Sequence, residues 1–341
     1  MDNFDVIDLN GTPNIVIKKL KTEYPEDFRI NIKGKDAHVS VVNAIRRTIL
    51  QHVPVYGYHR KNIIIEHKKC KYMYNNDLIY NQIETLPIYD ISNDFDLDEL
   101  FMLLPNDALV SIFGDSYKQQ ISNTDKKIHD IEFILNYKNS TDVDKFIDTH
   151  DAVFKIDGKV ADNYKKRDPV SIIVLKPEEE VHLRAVANLN VSMVNAIYEA
   201  TTNAIHKEIT STEYELLYET LGQLNKNVIF EKAIKILIKK LECLEKFVKE
   251  TYEDNKDDIG NIMSVELYGE TDTIGYLLTN ILQSCEHIER AGYVVPHPFV
   301  AHVIIDFQTY KNSKLRPIQV FIKSINYAIK IFNVITKQWI N

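Results

Sequence analysis

Cysteine is nearly absent. The chain of 341 residues holds three, Cys70, Cys243 and Cys285, far apart and odd in number. That usage argues against a disulfide framework and for a reducing compartment. No Cys-x-x-Cys pair occurs, so a zinc ribbon or an iron–sulfur cluster has no local ligand set. Glycine and proline are sparse as well, ten of each, which argues against long low-complexity or disordered tracts. No window approaches 18 uninterrupted apolar residues, and the acidic start MDNFDVIDLN has no apolar run. Neither a membrane span nor a signal peptide is therefore expected. A P-loop and a Rossmann glycine fingerprint are missing too. Positive charge is in deficit: 41 Lys and Arg face 49 Asp and Glu, a formal net charge of −8. A surface that owed its affinity to phosphates would show the reverse balance, so Lys165-Lys166-Arg167 reads as a solvated loop. The expectation is a soluble intracellular protein of about two domains, because 45% apolar residues suffice for a real core.

What is present starts with SVVNAIRRTILQHVP, Ser40 to Pro54. At 100° per residue, Val41, Val42, Ala44, Ile45, Ile49 and Val53 share one side of a helix. Asn43 and Arg47 fall opposite, and Arg46 lies on the flank. A stripe this wide can bury one side on its own sheet and another on a partner helix. The partner is expected in the same chain, in the helix Thr273–Cys285, with Thr271 or Asp272 as N-cap. Its stripe is Ile274, Leu277, Leu278, Ile281, Leu282 and Cys285. Burying about six apolar side chains per helix is worth at most roughly 10 kcal/mol each.

Alternation predicts strands at Phe28–Gly34, after Pro54 in NIIIEHKKCKYMY, at Ile131–Tyr137, at Val170–Leu175, at Val181–Leu189, and in VELYG and AHVIIDFQTY. Asp96–Leu104 reads as a short helix stopped by Pro105. Residues Lys68 to Arg184 look like a strand-rich insert with polar loops at Ser122–Lys127 and Ala161–Asp168. Two long helices carry seams of period 3.5: Ile234, Leu237, Leu241, Leu244 and Val248 within Glu231–Asp254, then Ile318, Phe321, Ile325, Ala328, Phe332, Ile335 and Trp339. They suit packing on each other, or each covers its own sheet. Asn255–Asn261 is the expected linker. Strand, striped helix, strands and heptad helix thus occur twice, a degenerate internal repeat.

These residues carry a resemblance to the alpha-type assembly subunits of multisubunit RNA polymerase, bacterial alpha and its archaeal and eukaryotic counterparts. VVNAIRRTILQHVPVYGY is similar to the first-helix signature, with Asn43, Arg46, Arg47 and Pro54 at matching positions. NQIETLPIYD resembles the following segment through Ile83, Leu86 and Pro87, while Gln82, Glu84 and Thr85 depart. STEYELLYETLGQLNKNVIFEKAIKILIKKL is similar to the family's last strand and long helix. VELYGETDTIGYLLTNIL and ERAGYVVPHPFVAHVIIDFQT resemble the small alpha-like partner subunit, with Glu270, Thr273, Gly275, Gly292, Tyr293, Pro296, His297 and Pro298 in place. The family's usual residues around Asn190–Ala200 are replaced. Both partners in one chain resemble the fusion found in large cytoplasmic DNA viruses.

The resemblance implies an α+β fold of two alpha-like dimerisation domains in one chain. Residues 1–67 and 185–254 would form the first, 68–184 a strand-rich inserted domain, 255–261 a linker and 262–341 the second, small domain. It implies a non-catalytic assembly subunit of a DNA-directed RNA polymerase that docks the two large catalytic subunits and small assembly subunits. Such a subunit meets DNA only through the complex, uses no cofactor or membrane, and works in the virion and host cytoplasm if viral, or otherwise in the nucleus. The cysteine clusters that hold metal in some relatives are absent, so no metal is expected. Partner-binding residues would be Asn43, Arg46, Arg47, Pro54, Leu86 and Pro87. Val41, Ile45 and Ile49 would pair with Ile274, Leu277, Leu278, Ile281 and Leu282 within the chain.

Other constellations compete with this reading. Arg46 and Arg47 are either surface cations near a helix C-terminus, where the dipole favours them by about 0.3–1 kcal/mol, or forks aimed at another subunit. The resemblance favours the second. His297 and His302 lack a third metal ligand, and the flanking Pro296 and Pro298 suit an extended entry into a strand with His297 packed at its edge. His67 and Cys70 lack a third group for a nucleophile dyad, and Glu178-Glu179-Glu180 reads as a solvated turn. The alternatives to an assembly subunit are a stand-alone enzyme using His129, Asp130, Glu132 and His150 of the insert, or a regulatory decoy of polymerase assembly.

Overall fold

The structure, a computed structural model, describes residues 7–70, 75–91, 101, 103–117, 129–252 and 261–340. The chain runs β1 (Val16–Lys19), β2 (Asp27–Lys33), α1 (Val39–Gln51), β3 (Val55–Gly57), β4 (Ile63–Lys69), α2 (Asn76–Glu84) and α3 (Asn106–Tyr117). There follow β5 (Ile131–Lys138), β6 (Lys145–Asp148), β7 (Val153–Ile156), β8 (Lys159–Val160), β9 (Ser171–Leu175), β10 (Glu180–Val186), β11 (Asn188–Asn190), β12 (Thr201–Thr210) and β13 (Glu213–Thr220). The chain closes with α4 (Lys226–Tyr252), β14 (Ile262–Tyr268), α5 (Asp272–Gln283), β15 (Ile288–Val294), β16 (His302–Thr309) and α6 (Pro317–Ile340). This is an α+β fold.

Two antiparallel sheets flank a helical centre. The first has the order β1-β2-β13-β12, the second β14-β16-β15. Period-2 alternation makes each half-buried: Phe28, Ile30 and Ile32 of β2 face inward beside Tyr214, Leu216 and Tyr218 of β13. Phe28 and Tyr218, paired in register, stack with centroids 4.4 Å apart. In the second sheet Val265 and Leu267 lie opposite Ile305 and Val303. Between the sheets α1 packs on α5, α4 on α6, α1 on α4 and α5 on α6. The seam residues of α4, and those of α6 up to Ile335, are all buried. The two long helices do pack on each other, and α6 also reaches across to β1 of the first sheet. By length and composition α6 is apolar enough to cross a membrane, but 61% of that stretch is buried in the protein, as for a core helix.

A third sheet, β4-β10-β5-β7-β8, with the ribbon β6-β9, builds the region between β4 and β10. Its core is aromatic: Tyr164 meets Phe133 and Phe154 edge-on at 5.6 and 5.0 Å. α3 ties this region to the second sheet. It is kinked at Gly114, whose φ of +71° favours glycine, and a Cβ there would sit 2.8 Å from Gly269 Cα.

Several elements depart from the sequence reading. α4 begins at Lys226, ahead of Glu231, because Ile229 and Phe230 are buried and extend the apolar face. The strand expected over Val181–Leu189 is broken into β10 and β11, and β11 pairs with β3 instead. Thr271 occupies the N-cap of α5 without a side-chain cap bond, whereas His38 Nδ1 caps α1 by accepting from Ser40 N at 3.2 Å. Glu179 is not solvated: it is 6% exposed and accepts from Lys176 N at 2.9 Å. Arg167 is held by Asp90 at 3.2 Å rather than free in a loop. Residues 96–100, 122–127 and 255–260 lie outside the described residues.

Candidate docking face

Helix α1 buries Val41, Ile45 and Ile49 and packs on α4, α5 and strands β12 and β13, while α5 buries Ile274, Leu277, Leu278, Ile281 and Leu282. The start of α1 meets the end of α5. Ser40 Oγ approaches Asn280 Oδ1 at 3.5 Å, and Asn280 Nδ2 lies 3.2 Å from His38 Nε2. Asn43, Arg46 and Arg47 stay half-exposed on the other side.

The two arginines do different things. Arg46 spends its fork inside the chain: Nε and Nη2 donate to Asn43 Oδ1 at 3.0 and 2.8 Å, and Nη1 to Ala204 O at 3.4 Å. Arg47 has no hydrogen-bond or ion-pair partner among the described residues. On the helix Asn43 neighbours Arg46 at i+3 and Arg47 at i+4, and it is Arg46, on the flank in the sequence reading, that bonds to it. Pro54 is buried, which removes it from any accessible surface; it stops α1 and starts β3.

A buried ion pair that the sequence did not announce joins α4 to the segment ahead of α5. Lys240 of α4 and Glu270, just ahead of α5, meet at 3.0 Å with side chains 6% and 0% exposed. Burial pushes the Glu270 carboxyl well above its usual range and, helped by Arg47, pulls Lys240 down to about 7; the opposite charge at 3.0 Å works against both shifts. His52, which follows α1, is held well below the ordinary imidazole range by burial, then by Lys240 and Arg47. Its Nδ1 is shielded from solvent and has no hydrogen-bond partner among the described residues. A histidine kept neutral in the fold takes up a proton on unfolding at about pH 6.5. Its share of stability is thus present above that pH and is lost as pH falls, at up to about 1.4 kcal/mol per pH unit. His52→Gln is expected to flatten the decline in stability between about pH 6.5 and 5. Urea midpoints at the two ends of that window test it, and an unaltered slope refutes it.

A groove of about 330 Å³ has a lining that includes Leu86, Pro87, Glu84, Tyr56, Ile197, Glu199 and Gln223. Leu86 is buried in its floor and Pro87 is half-exposed at its rim. Gln223 fixes the groove by acting like a strand: its Nε2 donates to Tyr56 O at 2.8 Å and its Oε1 accepts from Tyr56 N at 2.6 Å. Ile197, Glu199 and Gln223 were missed in the sequence; nothing local marks them, since they join Leu86 only through the fold.

In the second unit, Gly275 is demanded sterically: a Cβ there would lie 2.8 Å from the Tyr293 ring and 2.9 Å from Val303. Thr273 is half-exposed in the first turn of α5, and its Oγ1 takes a long 3.4 Å bond from Thr271. Gly292 is exposed in open space. His297 is not packed at a strand edge as expected. It is exposed with Pro296 and Pro298 in the loop before β16, where its Nδ1 accepts from Phe299 N at 3.2 Å. Phe299 itself is 92% exposed. His302 stacks on Tyr268 at 4.2 Å, away from any metal set.

The groups of the enzymatic alternative do not converge. His129 pairs with Asp157 at 2.7 Å, Glu132 with Arg184, and His150 Nε2 bonds backbone carbonyls of Tyr164 and Arg167. His67 and Cys70 each turn to Glu180, the imidazole to its carboxylate at 2.7 Å and the thiol to its carbonyl at 3.9 Å. Among the described residues no three His, Cys, Asp or Glu are placed to hold a metal ion.

The fold defines a class: an α+β protein in which two sheet-and-helix units pack through one helical layer, with two half-exposed arginines on its first long helix. Residues 263–338 match the RNA polymerase Rpb3/Rpb11 dimerisation domain family. A chain of Acanthamoeba polyphaga mimivirus named as a DNA-directed RNA polymerase subunit is 44% identical over 338 residues, 96% of this chain and 94% of that one. The DNA-directed RNA polymerase subunit Rpo3 of Methanocaldococcus jannaschii is 27% identical over 229 residues, 67% of this chain and 94% of its own. The chain belongs to the family of Rpb3/Rpo3-type subunits of DNA-directed RNA polymerase.

Proposed function

We propose that this chain is the assembly platform of its polymerase, docking the two large catalytic subunits and small assembly subunits without taking part in nucleotidyl transfer. In this reading residues 1–67 with 185–254, and 262–341, act as two alpha-like halves closed on each other, and 68–184 is an insert. The observation that carries it is Arg47, a half-exposed arginine with no hydrogen-bond or ion-pair partner among the described residues. An arginine left open in this way suits bidentate capture of a carboxylate from another subunit. Arg46 and Asn43 stiffen the same edge. The family's name is that of a polymerase subunit, and the mimivirus relative supports a viral setting, with the protein carried in the virion and acting in the host cytoplasm.

The test is co-expression with the two large subunits. Reversing charge at both arginines (Arg46→Glu with Arg47→Glu) is expected to leave the chain folded and to weaken capture at least about 10-fold, since removing one partner of an interfacial charge pair costs several kcal/mol. Most of that loss should come from Arg47. Undiminished complex yield refutes the assigned face. Omitting the chain from reconstitution separates a platform, which RNA synthesis needs, from a decoy, which it does not.

A further inference from the structure

The two sheet-and-helix units repeat one pattern, so the first could pair with its own kind as well as with the second. What tells α6 from α4 lies outside the apolar seam, in the chain ahead of β1. This strap starts on the second unit, where Ile7 N donates to Ser284 O at 2.7 Å and Ile7 pairs with Cys285 in a parallel bridge. It runs along α6, burying Leu9, and enters β1 at the edge of the first sheet. Lys323 and Lys330 of α6 donate to Asn10 Oδ1 and Leu9 O, both at 3.3 Å. Asp36, 7% exposed between β2 and α1, ties the knot. Its Oδ2 accepts from Asn14 N at 2.6 Å and its Oδ1 from the Tyr327 hydroxyl at 2.9 Å, while its own N–H donates to Asn14 O at 3.1 Å. Burial, then Asp36, pushes Tyr327 above the ordinary phenol range, which keeps it a donor. Gly34 backs the strap so closely that a Cβ there would collide with Asn14 O. Farther on, Gln338 meets the edge of β1 as a strand would: Nε2 donates to Ile15 O at 2.7 Å and Oε1 accepts from Ile17 N at 2.9 Å.

We propose that the strap, residues 7–19, selects the partner of the first unit: it closes on α6 and would not close on the α4 of a second copy. Counted from the helix starts, Lys226 and Pro317, the two seams fall in register, Ile234 with Ile325, Leu241 with Phe332 and Val248 with Trp339. By the same count Tyr327 answers to Ile236 and Gln338 to Phe247. Neither of those side chains can donate to Asp36 or bond the edge of β1. Lys323 and Lys330 answer to Lys232 and Lys239, so they hold the strap without discriminating. Set against α4, Asp36 would lie beside an aliphatic side chain and lose a donor, and the edge of β1 would face a phenyl ring. A buried polar group left unmet costs more than an apolar mismatch. Apolar seams in the same register tell partners apart poorly, whereas a penalty of this kind does so directly. The selection holds whether or not Arg47 is a docking contact.

The test uses the full chain with a protease site placed between Tyr252 and Asn261 and cut after folding. Native mass spectrometry then counts two kinds of pair, first fragment with second and first with first. The otherwise unaltered chain should give the mixed pair almost alone. Tyr327→Ile with Gln338→Phe, which gives α6 the groups of α4, should raise the first-with-first share about 10-fold. Tyr327→Phe removes one hydroxyl and serves if the double variant does not fold. It should raise that share about 5-fold and, in the uncut chain, speed amide exchange at Ile7, Asn14 and Ile17 together by a similar factor, because the strap opens as one piece. A pair ratio that stays as it was in a folded variant overturns the selection. Exchange that quickens at Asn14 alone reveals separate contacts in place of a strap, and overturns it as well.

Discussion

Glu270→Leu alone is expected to destabilise the protein by about 3–5 kcal/mol, the cost of stranding a buried charge, whereas Glu270→Leu together with Lys240→Met should be close to neutral. The reason lies in the burial of both groups, at 0% and 6% exposure. Desolvation consumes much of the attraction, so the pair contributes little beyond an apolar pair of the same shape. Loss of one member leaves the other without compensation. The stranded Lys240 has an exit: burial already brings it down to about 7, so it sheds its proton as pH rises. The unfolded chain keeps that proton until about pH 10.4, and the penalty falls as pH climbs toward that value. The single variant should therefore lose more stability at pH 6 than at pH 9, as read from denaturant midpoints. A single variant no less stable than the double would mean that the ion pair is not sensed by the fold. Against a total stability of about 5–15 kcal/mol, the expected loss is large enough to be unmistakable.

The parts of the fold that were readable in the sequence are those with strong periodicity on long elements. The stripe of α1 and the heptads of α4 and α6 predicted a helical centre, and Ile45, Leu278, Leu241 and Phe332 are all buried there. What escaped was carried by residues whose role depends on a distant neighbour. β15 contains Glu289, Arg290 and Gly292 and is largely exposed at the edge of its sheet, so it shows little of the alternation of a half-buried strand. β12 is an edge for the same reason, with Ile205 and Ile209 left in solvent. Lys240 sits in the run IKKLECL and looks like one more solvated flank of a heptad helix. Only the approach of Glu270 from the other half makes it an interior cation. At the proposed docking edge the double arginine stood out in the sequence, but nothing local distinguished Arg46, tied to Asn43 and Ala204, from Arg47, which has no hydrogen-bond or ion-pair partner among the described residues. The groove was legible on one wall only, at Leu86 and Pro87.

Leu278→Ala and Ile45→Ala should each cost about 2–5 kcal/mol, because both side chains are completely buried and deletion leaves a cavity. The larger consequence concerns which part of the molecule responds. Trp339, the single tryptophan, belongs to α6 of the second half but lies against Phe28 and Phe230 of the first, at 5.6 and 4.6 Å, under the Lys19 ammonium at 3.7 Å. Further along the same boundary, Gln338 is bonded to Ile15 O and Ile17 N, at 2.7 and 2.9 Å. The fluorescence of Trp339 thus reports the joint between the halves rather than either half alone. If the halves fold as one body, a cavity under α1 and a cavity under α5 should shift the same transition, with fluorescence and far-ultraviolet dichroism changing together. If they are two bodies on a tether, one substitution should move the tryptophan signal ahead of the helical signal, and the trace should split. A joint that melts separately could not hold two large subunits at a fixed distance, so coincident transitions are what the platform reading requires.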